Sequence, residues 1–183
     1  MDAALACYAE RGYAATRMTT IAERAGVSEA AIYRHFPSIE ELGAQLYLEY
    51  FTLYATTLAS AIASAPHAEE QLRAVVRVSL ALFREHPDAF LFSLEVLPAF
   101  IHRLSRGFKF PLEQVEGVIR TGQAAGSVRS GQSNILAAMF LGALLRPLSL
   151  TKLAAPGAVT LLNDTTNDAL ISDAAIATLV LTP

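Results

Sequence analysis

Apolar residues recur every three or four positions along most of the chain, which is the spacing that places them on one face of an α-helix. The segment Ala68–Glu85 is typical, because Leu72, Val75, Val76 and Phe83 are separated by helical intervals. Glycine and proline residues interrupt this pattern, and the only strand-like signal is a short valine-containing end. The sequence therefore predicts an all-α fold of about nine helices. The predicted helices are Asp2–Glu10, Thr16–Ala25, a short helix after Ser28, Ser38–Ser64, Ala68–Glu85, Asp88–Ser105, Pro111–Ala124, Ser133–Leu150 and Ala158–Leu181.

The second and third predicted helices are joined by a turn of only a few residues. Gly26 readily adopts the positive φ that ends a helix, and Ser28 is a good N-cap for the next one. A short connection that contains glycine favours a steep crossing of the two helices, as in a helix-turn-helix. That arrangement leaves the outer face of the third helix free. The side chains expected to lock the helices together are Ile21, Ala22, Val27, Ile32 and Phe36.

The third helix presents an unusual surface. An ordinary surface helix carries lysine and glutamate on its polar face, whereas the stretch Ala25–Phe36 reads AGVSEAAIYRHF. Its two large apolar residues, Ile32 and Phe36, are spaced i, i+4 and therefore lie on one side of the helix. Alanine and arginine side chains then lie on the opposite side. The residues expected to face outward are Ala30, Ala31 and Arg34, with Tyr33 and His35 on the flanks.

Composition narrows the class of protein. The 183 residues are 53% hydrophobic and 17% charged, so the chain is long enough to bury a core. The net charge of −3 argues against nonspecific coating of nucleic acid through bulk charge. Cys7 is the only cysteine, which excludes an internal disulfide and a cysteine metal cluster, and a small buried thiol is expected there. Asp2 follows Met1 without a basic or apolar leader, and the apolar stretch Ile135–Leu145 is too short for a bilayer, so a cytoplasmic protein is expected.

The segment Thr16–Leu42, TRMTTIAERAGVSEAAIYRHFPSIEEL, resembles the N-terminal DNA-binding domain of the TetR/AcrR family of transcriptional regulators. The resemblance is more specific than a generic helix-turn-helix pattern. It implies a DNA-binding domain at residues 1–46, with the motif at about 17–36, and a helical ligand-binding and dimerisation domain at residues 47–183. The matching elements are Ile21-Ala22, Ala25-Gly26-Val27-Ser28, Tyr33, His35-Phe36, Ser38 and Glu41-Leu42.

In that family the third helix lies in the major groove of DNA. The resemblance implies that small alanines let the backbone approach the bases, and that Arg34 contacts guanine or phosphate. Tyr33 and His35 would donate hydrogen bonds to phosphates, although each could instead be a packing residue. Glu29 could accept from cytosine or simply suit the start of a helix. The DNA-contacting residues expected from the resemblance are Thr16, Arg17, Thr19, Ser28, Glu29, Ala30, Ala31, Tyr33, Arg34 and His35.

Two features depart from the family pattern. The family usually has a lysine that touches phosphate where this chain has Ile39. The chain also begins at an acidic residue, Asp2, without the basic stretch that usually precedes the first helix, so either the start is misassigned or that arm is absent. Both departures lower the expected affinity for DNA and leave the expected architecture unchanged.

The resemblance also implies a ligand pocket and a dimer interface in the larger half of the chain. Phenylalanines cluster in the middle of the sequence and would suit an apolar or aromatic ligand, although core packing is the alternative. The apolar helix near residue 140 would pair with the last helix across a two-fold axis, unless it is a buried helix of the monomer. The expected pocket residues are Phe83, Phe90, Leu94, Phe100, His102 and Phe108, and the expected interface residues are Phe140, Leu141, Leu144, Leu145, Ile176 and Leu179.

The leading functional hypothesis is a homodimeric repressor that a small-molecule effector releases from a palindromic DNA operator. An interaction protein that keeps the fold and has lost DNA binding is the alternative. A small helical enzyme is the third, but the sequence contains no nucleophile–base pair, paired carboxylates or phosphate loop. Neither a metal site nor a cofactor is expected, since the four histidines lack metal-ligand spacing, and no membrane partner is expected.

Overall fold

The computed structural model describes residues 1–104, 107–151 and 165–180. Within these ranges the chain forms nine α-helices and one 3₁₀ turn, Ile101–Arg103, and no β-strand. This confirms the all-α prediction. The helices are α1 (Asp2–Arg11), α2 (Met18–Ala25), α3 (Glu29–Tyr33), α4 (Ile39–Ser64), α5 (Ala68–Glu85), α6 (Pro87–Phe100), α7 (Pro111–Ala124), α8 (Ser133–Leu150) and α9 (Asp168–Ala177).

The bounds of α5, α7 and α8 coincide with those predicted from the apolar spacing. The sixth helix ends at Phe100, earlier than expected, and continues as the 3₁₀ turn. Pro98 lies in its last turn and lacks the N–H that an α-helix needs for its backbone hydrogen bond. The last helix begins at Asp168, and the earlier part of its predicted span, residues 158–164, lies outside the described residues.

The chain divides into two compact units, and the division falls inside α4. Unit 1 comprises Met1–Leu53 and His86–Phe108. Its core is rich in aromatic rings: Tyr8 stacks on Phe92 with ring centroids 4.8 Å apart, and Tyr47 contacts Phe51 and Phe100 at 5.0 and 6.0 Å. The Cys7 thiol is buried there, as expected from the sequence.

Two tyrosine hydroxyls are buried in this core without a hydrogen bond to any described residue, which is energetically unfavourable. The hydroxyls of Tyr8 and Tyr47 are buried and make no hydrogen bond within the described part of the chain. Burial raises the pKa of both phenols, that of Tyr47 to about 12, because the ionised form is poorly solvated there. The rings therefore contribute apolar packing, whereas their hydroxyls do not.

Unit 2 comprises Tyr54–Glu85 and Lys109–Pro183, and its helices are α5, α7, α8, α9 and the end of α4. One buried polar pair lies among its apolar side chains. The Ser79 hydroxyl donates to the Val75 carbonyl oxygen at 2.8 Å, so the Tyr54 hydroxyl, 2.9 Å from Ser79, is the donor in that second bond. The largest fully buried side chains of unit 2 are Phe83, Phe140, Leu58, Leu72, Ile119, Leu144, Leu148 and Leu179.

Among the described residues, α8 alone has the length and composition of a membrane-spanning helix. Its 18 residues have a mean hydropathy of 1.4, and a third of them are buried inside unit 2. The core helix of a soluble protein meets the same criteria, so this helix is weak evidence for a membrane span.

Candidate nucleic-acid interface

A tight turn joins α2 to α3 as the sequence predicted. Gly26 has φ 68° and ψ 30°, the left-handed conformation that glycine adopts without steric cost, and its N–H donates to the carbonyls of Ala22 and Glu23. The Ser28 hydroxyl then accepts from the Ala31 N–H at 3.2 Å and caps the start of α3. Local hydrogen bonds therefore define both ends of the turn, namely the end of α2 and the start of α3.

The packing between α2 and α3 differs from the prediction. Ile21 and Ala22 are buried, but Val27 is 47% exposed, and Ile32 and Phe36 are only half-buried. The physical reason is the length of α3, which spans five residues and has no fully buried side chain. One further turn follows it, since the N–H groups of His35 and Phe36 both donate to the Ile32 carbonyl at 2.9 Å.

The outer face of α3 is exposed and is not covered by any described part of unit 1. Ala30, Tyr33 and Arg34 lie on it, and Tyr33 is 48% exposed. Neither Tyr33 nor Arg34 makes a side-chain hydrogen bond or ion pair within the described residues. This face therefore offers a phenol hydroxyl and a guanidinium to a partner, beside an alanine small enough for close approach. The other expected DNA residues that are exposed are Arg17, Thr19, Ser28 and His35, while Glu29 is half-buried.

Ala31 corrects the prediction that both alanines face outward. Together with His35, Ile32 and Phe36 it lines an open groove of about 270 Å³ between α3, α1 and the start of α4. Ala31 and His35 are spaced i, i+4, so they share one side of the helix, and Ala30 lies on another. His35 stays exposed at the rim of this groove, with its ring 6.4 Å from that of Phe36.

The burial of Thr16 contradicts the prediction that its side chain contacts DNA. Its side chain is only 6% exposed, and its single hydroxyl proton is shared between the carbonyl oxygens of Gly12 at 2.8 Å and Cys7 at 3.3 Å. Because the hydroxyl closes the end of α1, the side chain cannot at the same time contact a phosphate. Arg17 is the exposed residue at the start of α2 and the N-cap position of that helix.

An ion pair that the sequence did not reveal ties α2 to α1. The two terminal guanidinium nitrogens of Arg24 donate to the two carboxylate oxygens of Glu10, at 2.7 and 2.5 Å. The hydrogen bonds with Arg24 hold the pKa of the Glu10 carboxyl below its usual value. Arg24 is thus committed inside unit 1, which leaves Arg17 and Arg34 as the arginines of the motif that are available to DNA. The residues are 14 positions apart, so no helical spacing could have paired them.

The start of α4 is fixed by a cap and by a second ion pair. The Ser38 hydroxyl accepts from the Glu41 N–H at 3.1 Å, which confirms half of the predicted capping box. The Glu41 carboxylate instead accepts from Arg103 of the 3₁₀ turn at 3.0 Å. Ile39, the position where a lysine was expected by family resemblance, is the first residue of α4 and is half-buried.

Gly43 is a supporting residue that sequence reasoning missed. A Cβ at this position would lie 2.7 Å from the ring of Tyr13 and 3.3 Å from that of Phe100, so only glycine lets these rings pack on α4. The two rings also contact each other, with centroids 5.5 Å apart in an edge-to-face arrangement. An isolated glycine inside a strong helical pattern is the signal that could have identified it.

The expected pocket residues do not all belong to one unit. Phe83 is buried in unit 2, whereas the other five lie in unit 1. Phe100 is buried against Tyr13 and Tyr47, and Phe108 contacts Phe51 with ring centroids 5.8 Å apart. Phe90 is also buried, Leu94 is half-buried and His102 is exposed.

Most of the side chains predicted for the dimer interface are buried inside unit 2, which contradicts their prediction as interface residues. Phe140, Leu144 and Leu179 are completely buried, Leu141 and Ile176 are nearly so, and Leu145 is half-buried. The reason is that α8 packs against both α7 and α9, so these two helices of the same chain cover the face that carries these side chains. The large apolar side chains that α8 and α9 leave exposed are Ile135 (53%), Met139 (50%), Leu150 (41%) and Leu170 (67%).

Comparison with known proteins agrees with the geometry of this motif. Residues 1–46 match the model of the family described as bacterial regulatory proteins, tetR family, which confirms the resemblance drawn from the motif. The chain is 26% identical over 138 residues to the fatty acid metabolism regulator protein of Bacillus subtilis, covering 72% of this chain and 70% of that protein.

Two solved structures share the fold. The transcriptional regulator FadR from Bacillus subtilis, in complex with stearoyl-CoA, superposes with a TM-score of 0.75 and 20% identity over 97% of this chain and 96% of that one. AibR, in complex with isovaleryl coenzyme A and operator DNA, superposes with a TM-score of 0.72 and 19% identity over 97% and 94%. At these identities the likeness shows the fold alone.

Proposed function

We propose that this chain, whose first 46 residues match the tetR family model, is a TetR-family repressor that a small apolar or aromatic ligand releases from a palindromic operator. The observation that carries the proposal is the outer face of α3, where Tyr33 and Arg34 are exposed and uncommitted within the described residues. An exposed arginine beside small side chains on a short helix suits the edges of bases and the phosphates of a major groove.

The proposed docking places α3 in the major groove. Ala30 allows the backbone to approach the bases, Arg34 binds guanine or phosphate, and Tyr33 and His35 donate to phosphates at the rim. Arg17 and the backbone at the start of α2 contact a neighbouring phosphate, since a helix N-terminus attracts anions. Glu29 and Ala31 have supporting positions, because both are half-buried.

A single short helix makes few contacts, so we propose a homodimer that places two copies of α3 on a palindrome. Exposed apolar residues on α8 and α9 support this pairing, because Ile135, Met139 and Leu170 each leave half or more of their surface in water. Gly142, which lies one turn after Ala138 on the exposed side of α8, has no atom within 4 Å of an added Cβ and would permit close approach of a partner helix.

The effector is proposed to be apolar or aromatic. The aromatic side chains of unit 1 support this class, among them Phe51, Phe100 and Phe108. Two structures of the same fold are complexes with stearoyl-CoA and with isovaleryl coenzyme A, thioesters whose acyl groups are apolar. The expected division at residues 46 and 47 separates the DNA-binding part from the effector part, and α4 runs through it as one continuous helix. A ligand that favours one position of α4 would change DNA affinity through differential binding.

We propose a cytoplasmic regulator without enzymatic activity.

A gel-shift titration of DNA from upstream of its own gene tests the proposed repressor function, with and without palmitoyl-CoA as the probe effector. We expect a discrete complex at low salt that the Tyr33→Ala, Arg34→Ala double variant does not form. The absence of a complex with the folded wild-type protein at low salt would contradict it.

One observation favours a second function, an interaction protein that has lost DNA binding. Ile39 removes a cation from the start of α4, and Arg24 is sequestered by Glu10, so the motif presents few free positive charges. Under this alternative the double variant would bind its partner protein and give the same phenotype as the wild type.

A further inference from the structure

An open cleft of about 370 Å³ lies between α5 and α9 in unit 2. Its volume is within the range of small-molecule sites, and its lining combines arginine side chains with apolar ones. None of these residues belongs to the DNA-binding motif or to the aromatic cluster of unit 1. The lining residues are Arg73, Val76, Arg77, Leu80, Ala81 and Arg84 from α5, and Asp168, Ala169 and Ser172 from α9.

Two of the three arginines are neutralised by carboxylates. Arg84 binds both carboxylate oxygens of Asp168, one of them at 2.8 Å. Arg73 donates to Glu69 at 3.0 and 3.1 Å and reaches Asp173 at 3.5 Å. These pairs hold α9 to α5 at two points, and they fix both guanidinium groups against the walls of the cleft.

Arg77 is the uncompensated charge of the cleft. It lies one turn after Arg73 on the same side of α5, is exposed, and makes no ion pair or hydrogen bond within the described residues. The Ser172 hydroxyl, across the cleft on α9, likewise has no hydrogen-bond partner there. The cleft therefore contains a cation and a neutral donor that are both available, between two ion pairs that are already satisfied.

The rest of the lining is apolar. Val76 and Leu80 are buried and close the floor, and Ala81 and Ala169 are exposed beside it. These four side chains offer a short apolar molecule contact area but no hydrogen bonds.

We propose that this cleft binds a short organic anion. Its carboxylate or phosphate group pairs with the Arg77 guanidinium and accepts from the Ser172 hydroxyl, and its apolar part lies on Ala81 and Ala169. A ligand held in this way would join α5 to α9 at a third point. The proposal is independent of DNA binding, because the site lies wholly within unit 2.

Isothermal titration of the full-length protein tests this site with four probes: hexanoate, hexyl phosphate, inorganic phosphate and neutral hexanol. We expect saturable binding of hexanoate or hexyl phosphate at one site per chain, and at least tenfold weaker binding of hexanol and of inorganic phosphate. The stronger of the two organic anions identifies the head group. Hexanol that binds as tightly as the anions, or no saturable binding of either anion, would overturn the proposal.

Three variants locate the binding. Arg77→Gln removes the charge and keeps an unbranched polar side chain, although a shorter one, so we expect at least tenfold weaker binding of the better anion. Ala81→Phe fills the apolar side with the charge intact and should weaken binding similarly. Arg120→Gln is the matched control, because Arg120 is an exposed arginine on α7, and it should bind as the wild type does. Circular dichroism verifies folding of each variant. Wild-type affinity in Arg77→Gln, or an equal loss in Arg120→Gln, would overturn the assignment.

Discussion

The proposed dimer surface makes a quantitative prediction at Leu170. This side chain on α9 is 67% exposed in the single chain. Complete burial of a leucine is worth roughly 1.5–3 kcal/mol, so covering the exposed part would contribute about 1–2 kcal/mol. A two-fold interface contains the residue twice, which brings the contribution to about 2–4 kcal/mol per dimer. At about 1.4 kcal/mol for each factor of ten, Leu170→Ala should weaken dimerisation by about 30-fold to 700-fold.

Leu144→Ala is the matched control, because it is the same substitution on a side chain that is completely buried within unit 2. It should lower the free energy of unfolding by about 2–5 kcal/mol and leave the dimerisation constant of the folded protein nearly unchanged. Leu170→Ala should weaken dimerisation and leave the unfolding free energy of the dissociated monomer nearly unchanged, since truncating this exposed side chain leaves no cavity inside the single chain.

Sedimentation equilibrium gives the dissociation constant of the dimer, and urea denaturation at a protein concentration well below that constant gives the unfolding free energy of the monomer. A dimer of undiminished affinity in Leu170→Ala would refute the assignment of α9 to the interface. A selective loss of dimerisation in Leu144→Ala would restore the interface that the sequence predicted.

Three further predictions concern the DNA-binding motif and the packing inside the two units. Ile39→Lys adds a cation at the start of α4, and we expect tighter DNA binding with a salt dependence of log affinity steeper by about 0.9 for each subunit, or about 1.8 for the dimer; an unchanged slope in a fluorescence-anisotropy salt titration would refute a phosphate contact there. Gly117→Ala, which meets no atom within 4 Å, should stabilise α7 by up to about 1 kcal/mol, whereas Gly43→Ala meets an aromatic ring at 2.7 Å and should lower the melting temperature; equal gains would contradict that packing. Tyr54→Phe should cost about 0.5–1.5 kcal/mol at neutral pH. Burial raises the pKa of Tyr54 from 10.0 to about 12, so the wild type is stabilised below pH 10 and loses this advantage as the pH rises towards 12, while the phenylalanine variant does not; parallel urea stability profiles in alkali would contradict this.

Local signals in the sequence were sufficient for the helices and for the turn of the motif. The bounds of α5 follow from apolar spacing and from the proline before it, and Gly26 and Ser28 define the turn by their own conformation and hydrogen bonds. The outward positions of Ala30 and Arg34 also follow from the helical period.

Contacts between distant residues were not available from the sequence. Helical period identifies an apolar face of α8, but it cannot say whether that face is covered by the same chain or by a second copy, which is why Phe140 and Leu144 were assigned to an interface. Thr16 was assigned to DNA because its position fits the start of α2, whereas the carbonyl of Gly12 takes its hydroxyl. The pairing of Glu10 with Arg24 depends on the crossing of two helices, which no local pattern specifies.

The most direct test of the central claim measures DNA binding by the outer face of α3. Fluorescence anisotropy with a labelled fragment from upstream of the chain's own gene compares the wild type, the Tyr33→Ala, Arg34→Ala double variant and Arg120→Ala as a control distant in sequence. We expect the wild type and Arg120→Ala to bind one saturable site with the same affinity. The double variant should bind at least about 30-fold more weakly, because each lost contact is worth about 1–3 kcal/mol. Equal affinities of the double variant and the wild type, with folding verified by circular dichroism, would contradict the claim.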